Sequence, residues 1–156
     1  MRTVAAFLAL VVACWASLGP LHAQTNSDGD KVKRLLDTTG LKYNTHNATT
    51  WSVDFDSDKL GKTKVVVSVG KDIVVTFVIV AKKTGIQKTP QLVDTLLTAN
   101  HEYDYTKVGL DSDGDLFVRI DTPLRLVDAA QLKDNINQTF RASEELFGKV
   151  APFVKR

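Results

Sequence analysis

The chain has 156 residues, with 20 Lys and Arg against 18 Asp and Glu, for a formal charge of +2. That is one domain's worth of sequence, and 44% hydrophobic with 24% charged residues places it among folded rather than disordered chains. A single cysteine excludes a disulfide scaffold, and the absence of any basic block excludes a phosphate-binding, nucleic-acid role.

The chain opens as an address. Met1 and Arg2 give a positive start, Val4 to Val12 form an uncharged apolar run, and Gly19-Pro20 breaks the segment before Leu21-His22-Ala23. This is the layout of a secretory signal peptide over residues 1–23, and the run is too short to cross a bilayer, so no membrane span is expected after cleavage. Cleavage after Ala23 removes Arg2 alone among the charged residues, and the product is periplasmic or secreted. The alternative is a lipoprotein anchored through Cys14, because Val11-Val12-Ala13-Cys14 resembles a lipobox. Residues 24–30, rich in Asn, Ser, Asp and Gly, are expected to form a flexible lead-in, with a single domain over residues 31–156.

Asp30 is positioned to cap a first helix with apolar Val32, Leu35 and Leu36, which Gly40 ends. Trp51, Val53 and Phe55 alternate with polar residues and predict a strand with one buried face. Val65, Val67 and Val69 repeat the pattern, and Gly70-Lys71-Asp72 supplies a hairpin turn into Ile73 to Ala81. That third strand carries only Thr76 as a polar residue, so it is apolar on both faces. Thr89-Pro90 opens a second helix with Leu92, Val93, Leu96 and Leu97 on one face, ending near Asn100. Two more strands, Tyr105 to Leu110 and Leu116 to Asp121, flank an Asp-Gly turn. Asp128 with Gln131 forms a capping box for a last helix striped by Leu132, Ile136, Phe140 and Phe147. The order α-βββ-α-ββ-α with short hairpin turns defines an α+β fold, an antiparallel five-stranded sheet with three helices.

Residues with chemical potential are few. His46 falls in a polar loop facing solvent, and His101 stands at a helix end beside Glu102 without the spacing of a zinc protease. Asp111, Asp113 and Asp115, like Asp54, Asp56 and Asp58, lack the glycine and glutamate positions of a calcium loop. Asn47-Ala48-Thr49 and Asn137-Gln138-Thr139 match the glycosylation pattern, which matters only in a eukaryotic secretory pathway. No catalytic, cofactor-binding or metal-ligating residues are identified.

The segment Leu97-Thr98-Ala99-Asn100-His101-Glu102, then Lys107-Val108-Gly109-Leu110-Asp111, Asp113-Gly114-Asp115-Leu116 and the Arg119 strand, resembles the YbjN family, described as bacterial sensory-transduction regulators. The resemblance implies a fold similar to that of type III secretion chaperones and no catalytic residues. The expected function is therefore an exported, non-catalytic protein-binding or chaperone-like module whose partner is an unidentified protein, with a homodimer as one form of association. A small extracytoplasmic hydrolase is the alternative, favoured if His101, Glu102 and an aspartate meet beside a deep pocket. The expected interaction residues are Val74, Val78 and Val80, on the assumption that Ile73, Val75, Phe77 and Ile79 face the helices.

Overall fold

The computed structural model describes residues 27–155. The leader over residues 1–23, Cys14 and the first residues of the expected lead-in lie outside the described part. Among the described residues no helix is long and apolar enough to cross a membrane.

Helix α1 spans Asp28–Thr39 and begins before the expected Asp30 cap. Ser27 is the cap: its hydroxyl accepts from the Asp30 N–H at 3.2 Å, and the Asp30 carboxylate accepts from the Ser27 N–H at 3.3 Å, a reciprocal capping box. Gly40 ends the helix at φ 72°, the left-handed conformation that favours glycine. The helix then leads into six strands, β1 (Asn44–Asn47), β2 (Thr50–Ser57), β3 (Gly61–Gly70), β4 (Ile73–Ala81), β5 (Lys107–Leu110) and β6 (Leu116–Pro123). Helix α2 (Pro90–Glu102) lies between β4 and β5, and α3 (Ala129–Val150) follows β6.

The sheet is fully antiparallel in the order β1-β2-β3-β4-β6-β5, so it has six strands and not the expected five. The extra strand is β1, whose four residues are polar and exposed and carry no alternation. It owes its strand conformation to pairing with β2, with a register shift between Thr45 and Asn47. Helices α1 and α3 pack on one face of the sheet, while α2 closes its β5 end against β5 and α3.

Cross-strand register sorts the side chains into two faces. Trp51, Val67, Thr76 and Ile120 are successive partners and all buried, as are Val53 and Val65. Thr76 shows which way this face points, because its hydroxyl shares a 2.8 Å hydrogen bond with that of Thr139 on α3. The expected assignment of β4 is thereby reversed. Val74, Val78 and Val80, at 1%, 2% and 8% exposure, lie on the helix side with Thr76, and Ile73, Val75, Phe77 and Ile79 point the other way. The physical reason is Thr76 itself: a polar residue reads as outward-facing, but a hydroxyl satisfied by a facing hydroxyl can be buried at little cost.

Helix α3 buries Leu132, Ile136, Thr139, Ser143, Leu146 and Val150. Phe140 and Phe147 stand at the margin of this stripe, half-buried, and Phe140 stacks on Phe55 of β2 with ring centroids 4.3 Å apart.

Candidate functional site

The face of the sheet turned away from α1 and α3 carries an apolar strip. Val66 from β3, Val75, Phe77 and Ile79 from β4 and Phe117 from β6 form it, each partly exposed. These residues share a face because the pairs Val66 with Phe77 and Ile79 with Phe117 stand opposite each other in the ladder. The strip borders an open groove of about 460 Å³ whose lining includes Phe117 and Arg119 on β6 and Ser68 and Gly70 on β3.

Two groups of paired charge border the strip. Asp121 accepts from Lys107 Nζ and Arg119 Nη2, both at 2.8 Å, and the Arg119 guanidinium carbon lies 5.6 Å from the Phe117 ring centroid. Burial pushes the Asp121 carboxyl up, but the hydrogen bonds from Lys107 and Arg119 outweigh it and hold the group below the usual carboxylate range. Across the sheet, Asp54 pairs with Lys64 at 3.1 Å and accepts from Asn44 Nδ2 at 2.8 Å, which lowers its carboxyl as well.

His46 is not a loop residue. It lies on β1, and its Nε2 is 2.9 Å from Ser52 Oγ on β2. A histidine bonded to a serine invites a nucleophile reading, but Ser52 is wholly enclosed, so no substrate carbonyl reaches it. His101 is exposed in the last turn of α2, and the adjacent Glu102 is bonded to Lys149 of α3. Lys149 also lies over the Tyr103 ring at 4.9 Å and pairs with Glu145 at 3.2 Å. Hydrogen bonding to Glu102 raises the Lys149 ammonium well above its ordinary value. This cluster fastens α2 to α3, and the shallow pocket lined by its Glu102, Tyr103 and Glu145 with Asp104 does not include His101.

The Asp111–Asp115 turn uses its carboxylates internally. Asp111 accepts from the backbone N–H groups of Asp113 and Asp115, both at 2.9 Å, while Asp115 accepts from Lys82 Nζ at 2.7 Å and the Lys83 N–H at 2.8 Å. Among the described residues no three His, Cys, Asp or Glu side chains are grouped as a metal ion requires.

One site residue escaped sequence reasoning. Asn100 places its amide against the edge of the sheet: the Val108 N–H donates to Asn100 Oδ1 at 3.0 Å, and Asn100 Nδ2 donates to the Val108 carbonyl at 2.8 Å. A side-chain amide thus takes the place of a neighbouring strand on the edge strand β5. The opposite edge is β1, short, polar and kinked, so both edges are guarded against strand addition.

The α+β fold, three helices with an antiparallel sheet, is similar to that of type III secretion chaperones. The chain belongs to the YbjN family, whose model, described as "Putative bacterial sensory transduction regulator", matches residues 28–151. The fold resembles the crystal structure of YbjN from E. coli, with a TM-score of 0.60 at 13% identity over 81% of this chain and 95% of that one. It also resembles a chain of the HopA1–SchA chaperone–effector complex, with a TM-score of 0.53 at 15% identity over 76% and 94% of the two chains. A third likeness is to the Yersinia pestis type III secretion chaperone SycH complex with a fragment of YscM2, with a TM-score of 0.50 at 16% identity over 77% and 99%. No curated protein matches the chain in sequence.

Proposed function

We propose that this protein is a non-catalytic, chaperone-like binding module that receives a partner polypeptide on the helix-free face of its sheet, and that it acts outside the cytoplasm. The observation that carries the reading is the strip of Val66, Val75, Phe77, Ile79 and Phe117, apolar side chains that the described residues leave partly open beside the ion-paired Asp54 and Asp121. The fold of a type III secretion chaperone solved with a bound fragment supports the same reading. Glu102, bonded to Lys149, and Asp104 line a shallow pocket that does not include His101, which speaks against the constellation a hydrolase would need. Export rests on the leader pattern of residues 1–23.

The test is capture with a tagged chain beginning at Gln24, compared with its Phe77→Lys variant. Partner retained by the native sequence and lost by a variant with unchanged circular dichroism supports the reading; equal capture by both refutes it. Terminal sequencing of the exported form is expected to find Gln24, and an acylated Cys14 would replace secretion by lipid anchoring.

A further inference from the structure

We infer that the sheet holds a cleft between β3 and β4 that receives an extended polypeptide segment of alternating acidic and apolar residues, paired antiparallel to β3 at Lys62 and Lys64. This rests on the reading of the protein as a polypeptide-binding module and names how the partner is gripped.

The cleft follows from the register. β3 pairs with β2 without interruption from Gly61 to Ser68, and β4 pairs with β6 from Ile73 to Ala81. Between β3 and β4 the ladder has only five pairs and stops at Val66 with Phe77, so Lys64 and Ile79, the next residues in line, are not joined. The sheet is thus two ribbons held together at the Gly70 and Ile73 turn and parted at the far end. A space of about 280 Å³ lies in the fork, its lining including Lys62, Lys64 and Val66 on one side and Phe77, Ile79 and Val80 on the other.

The groups that face this space decide what enters it. The Val69 N–H donates to the Thr49 carbonyl on the β2 side at 2.9 Å, so the odd-numbered residues of β3 turn their backbone groups to β2 and the even-numbered ones turn theirs to β4. Lys62 and Lys64 therefore present N–H and C=O groups to the cleft beyond the last rung, a template that an extended backbone completes. Charge then selects the partner. The lining carries two ammonium groups and no carboxylate, and among the described residues Lys62 is in no ion pair, while Lys64 has the exposed Asp54. Lysines along an open edge turn away apolar strands and admit an acidic one. An acidic residue opposite Lys64 shares its face of the sheet, and the alternation of a strand sends the next side chain to the other face, beside the buried Thr63, Val78 and Val80, where it is apolar.

Fluorescence anisotropy of a capped, labelled heptapeptide alternating valine and glutamate, titrated with the chain from Gln24 onward, tests the inference. This peptide is expected to bind, and its counterpart with lysine in place of glutamate to bind at least roughly tenfold more weakly. Methylating the glutamate nitrogens, which face β3 in this pairing, removes the hydrogen bonds and should also weaken binding roughly tenfold, whereas methylating the valine nitrogens should change it far less. The double variant Lys62→Glu with Lys64→Glu, both exposed positions, should keep native circular dichroism and reverse the preference in favour of the lysine peptide. In the free chain the Lys64 amide should exchange faster than the Val66 amide and should slow when the glutamate peptide binds. Absence of binding, equal binding of the two peptides, indifference to glutamate methylation or a Lys64 amide as protected as that of Val66 overturns the inference, and the methylated peptides decide on the native chain should the double variant lose its fold. Partner capture that Phe77→Lys abolishes and the double lysine variant leaves intact overturns the cleft alone, and the proposed function stands.

Discussion

Replacing Asn100 by alanine tests whether a side chain has been put in the place of a strand. The amide makes two hydrogen bonds to Val108, at 2.8 and 3.0 Å, and a third to the Leu96 carbonyl at 3.0 Å within α2. A hydrogen bond contributes roughly 0.5–1.5 kcal/mol net, and a buried group left without a partner costs about 1–3 kcal/mol. Val108 itself is buried, so its freed N–H and carbonyl are poorly hydrated, and Asn100→Ala is expected to cost about 2–3 kcal/mol in urea unfolding. Asn100→Asp separates geometry from chemistry. Its carboxylate still accepts from the Val108 N–H but faces the Val108 carbonyl with an acceptor where a donor stood. The loss should therefore shrink when the carboxyl is protonated at low pH. Hydrogen exchange at the Val108 amide should accelerate in the alanine variant. A change within half a kcal/mol, with Val108 exchange unaltered, would refute the account of this edge.

Gly29→Ala builds a Cβ only 2.2 Å from the Ala48 carbonyl oxygen, so the first turn of α1 or the β1–β2 turn has to move. Alanine favours a helix by about 1 kcal/mol over glycine; the expected outcome is nonetheless a net loss of about 1–2 kcal/mol by overpacking, and a gain in stability in denaturant unfolding would show that the two turns are not in contact. Asp115 is held below the ordinary carboxylate range by the Lys82 ammonium and then by the Lys83 N–H. A depressed carboxyl stabilises the fold above its unfolded value, and this contribution is lost as the pH falls through the folded one. The thermal midpoint should thus drop in acid, and Asp115→Asn should flatten that drop while lowering the midpoint at neutral pH; an unchanged acid slope would contradict the pairing.

The helices, β2 and β3 were legible because each carries a period, 3.6 or 2, β4 because its run is apolar and β-branched, and β5 and β6 because an Asp-Gly turn lies between them. β1 was not, since Asn44-Thr45-His46-Asn47 has no apolar residue and becomes a strand only through its partner β2. The turn-forming Asn47, whose Oδ1 accepts from the Thr49 N–H at 2.9 Å, was the available sign of a hairpin there, and reading it would have put His46 on a strand beside β2, within reach of Ser52. The facing of β4 could not be read at all. Eight of its nine residues are apolar, and the one polar residue pointed the wrong way because its partner, Thr139, lies 63 positions on. Asn100 was visible as part of a family motif, yet its work depends on a contact across the turn to Val108 that spacing alone does not reveal.

The central claim is that neighbouring residues of β4 serve opposite purposes, the even-numbered ones holding the core and the odd-numbered ones forming the docking face. Lysine placed in turn at Val78 and at Ile79 tests it most directly, with unfolding and association measured on the same samples. Val78→Lys buries an unpaired charge beneath α3 and should abolish cooperative unfolding. Ile79→Lys should unfold within about 1 kcal/mol of the native chain, as surface changes do, while losing partner capture. A folded, non-binding Val78→Lys beside an unfolded Ile79→Lys would contradict the account.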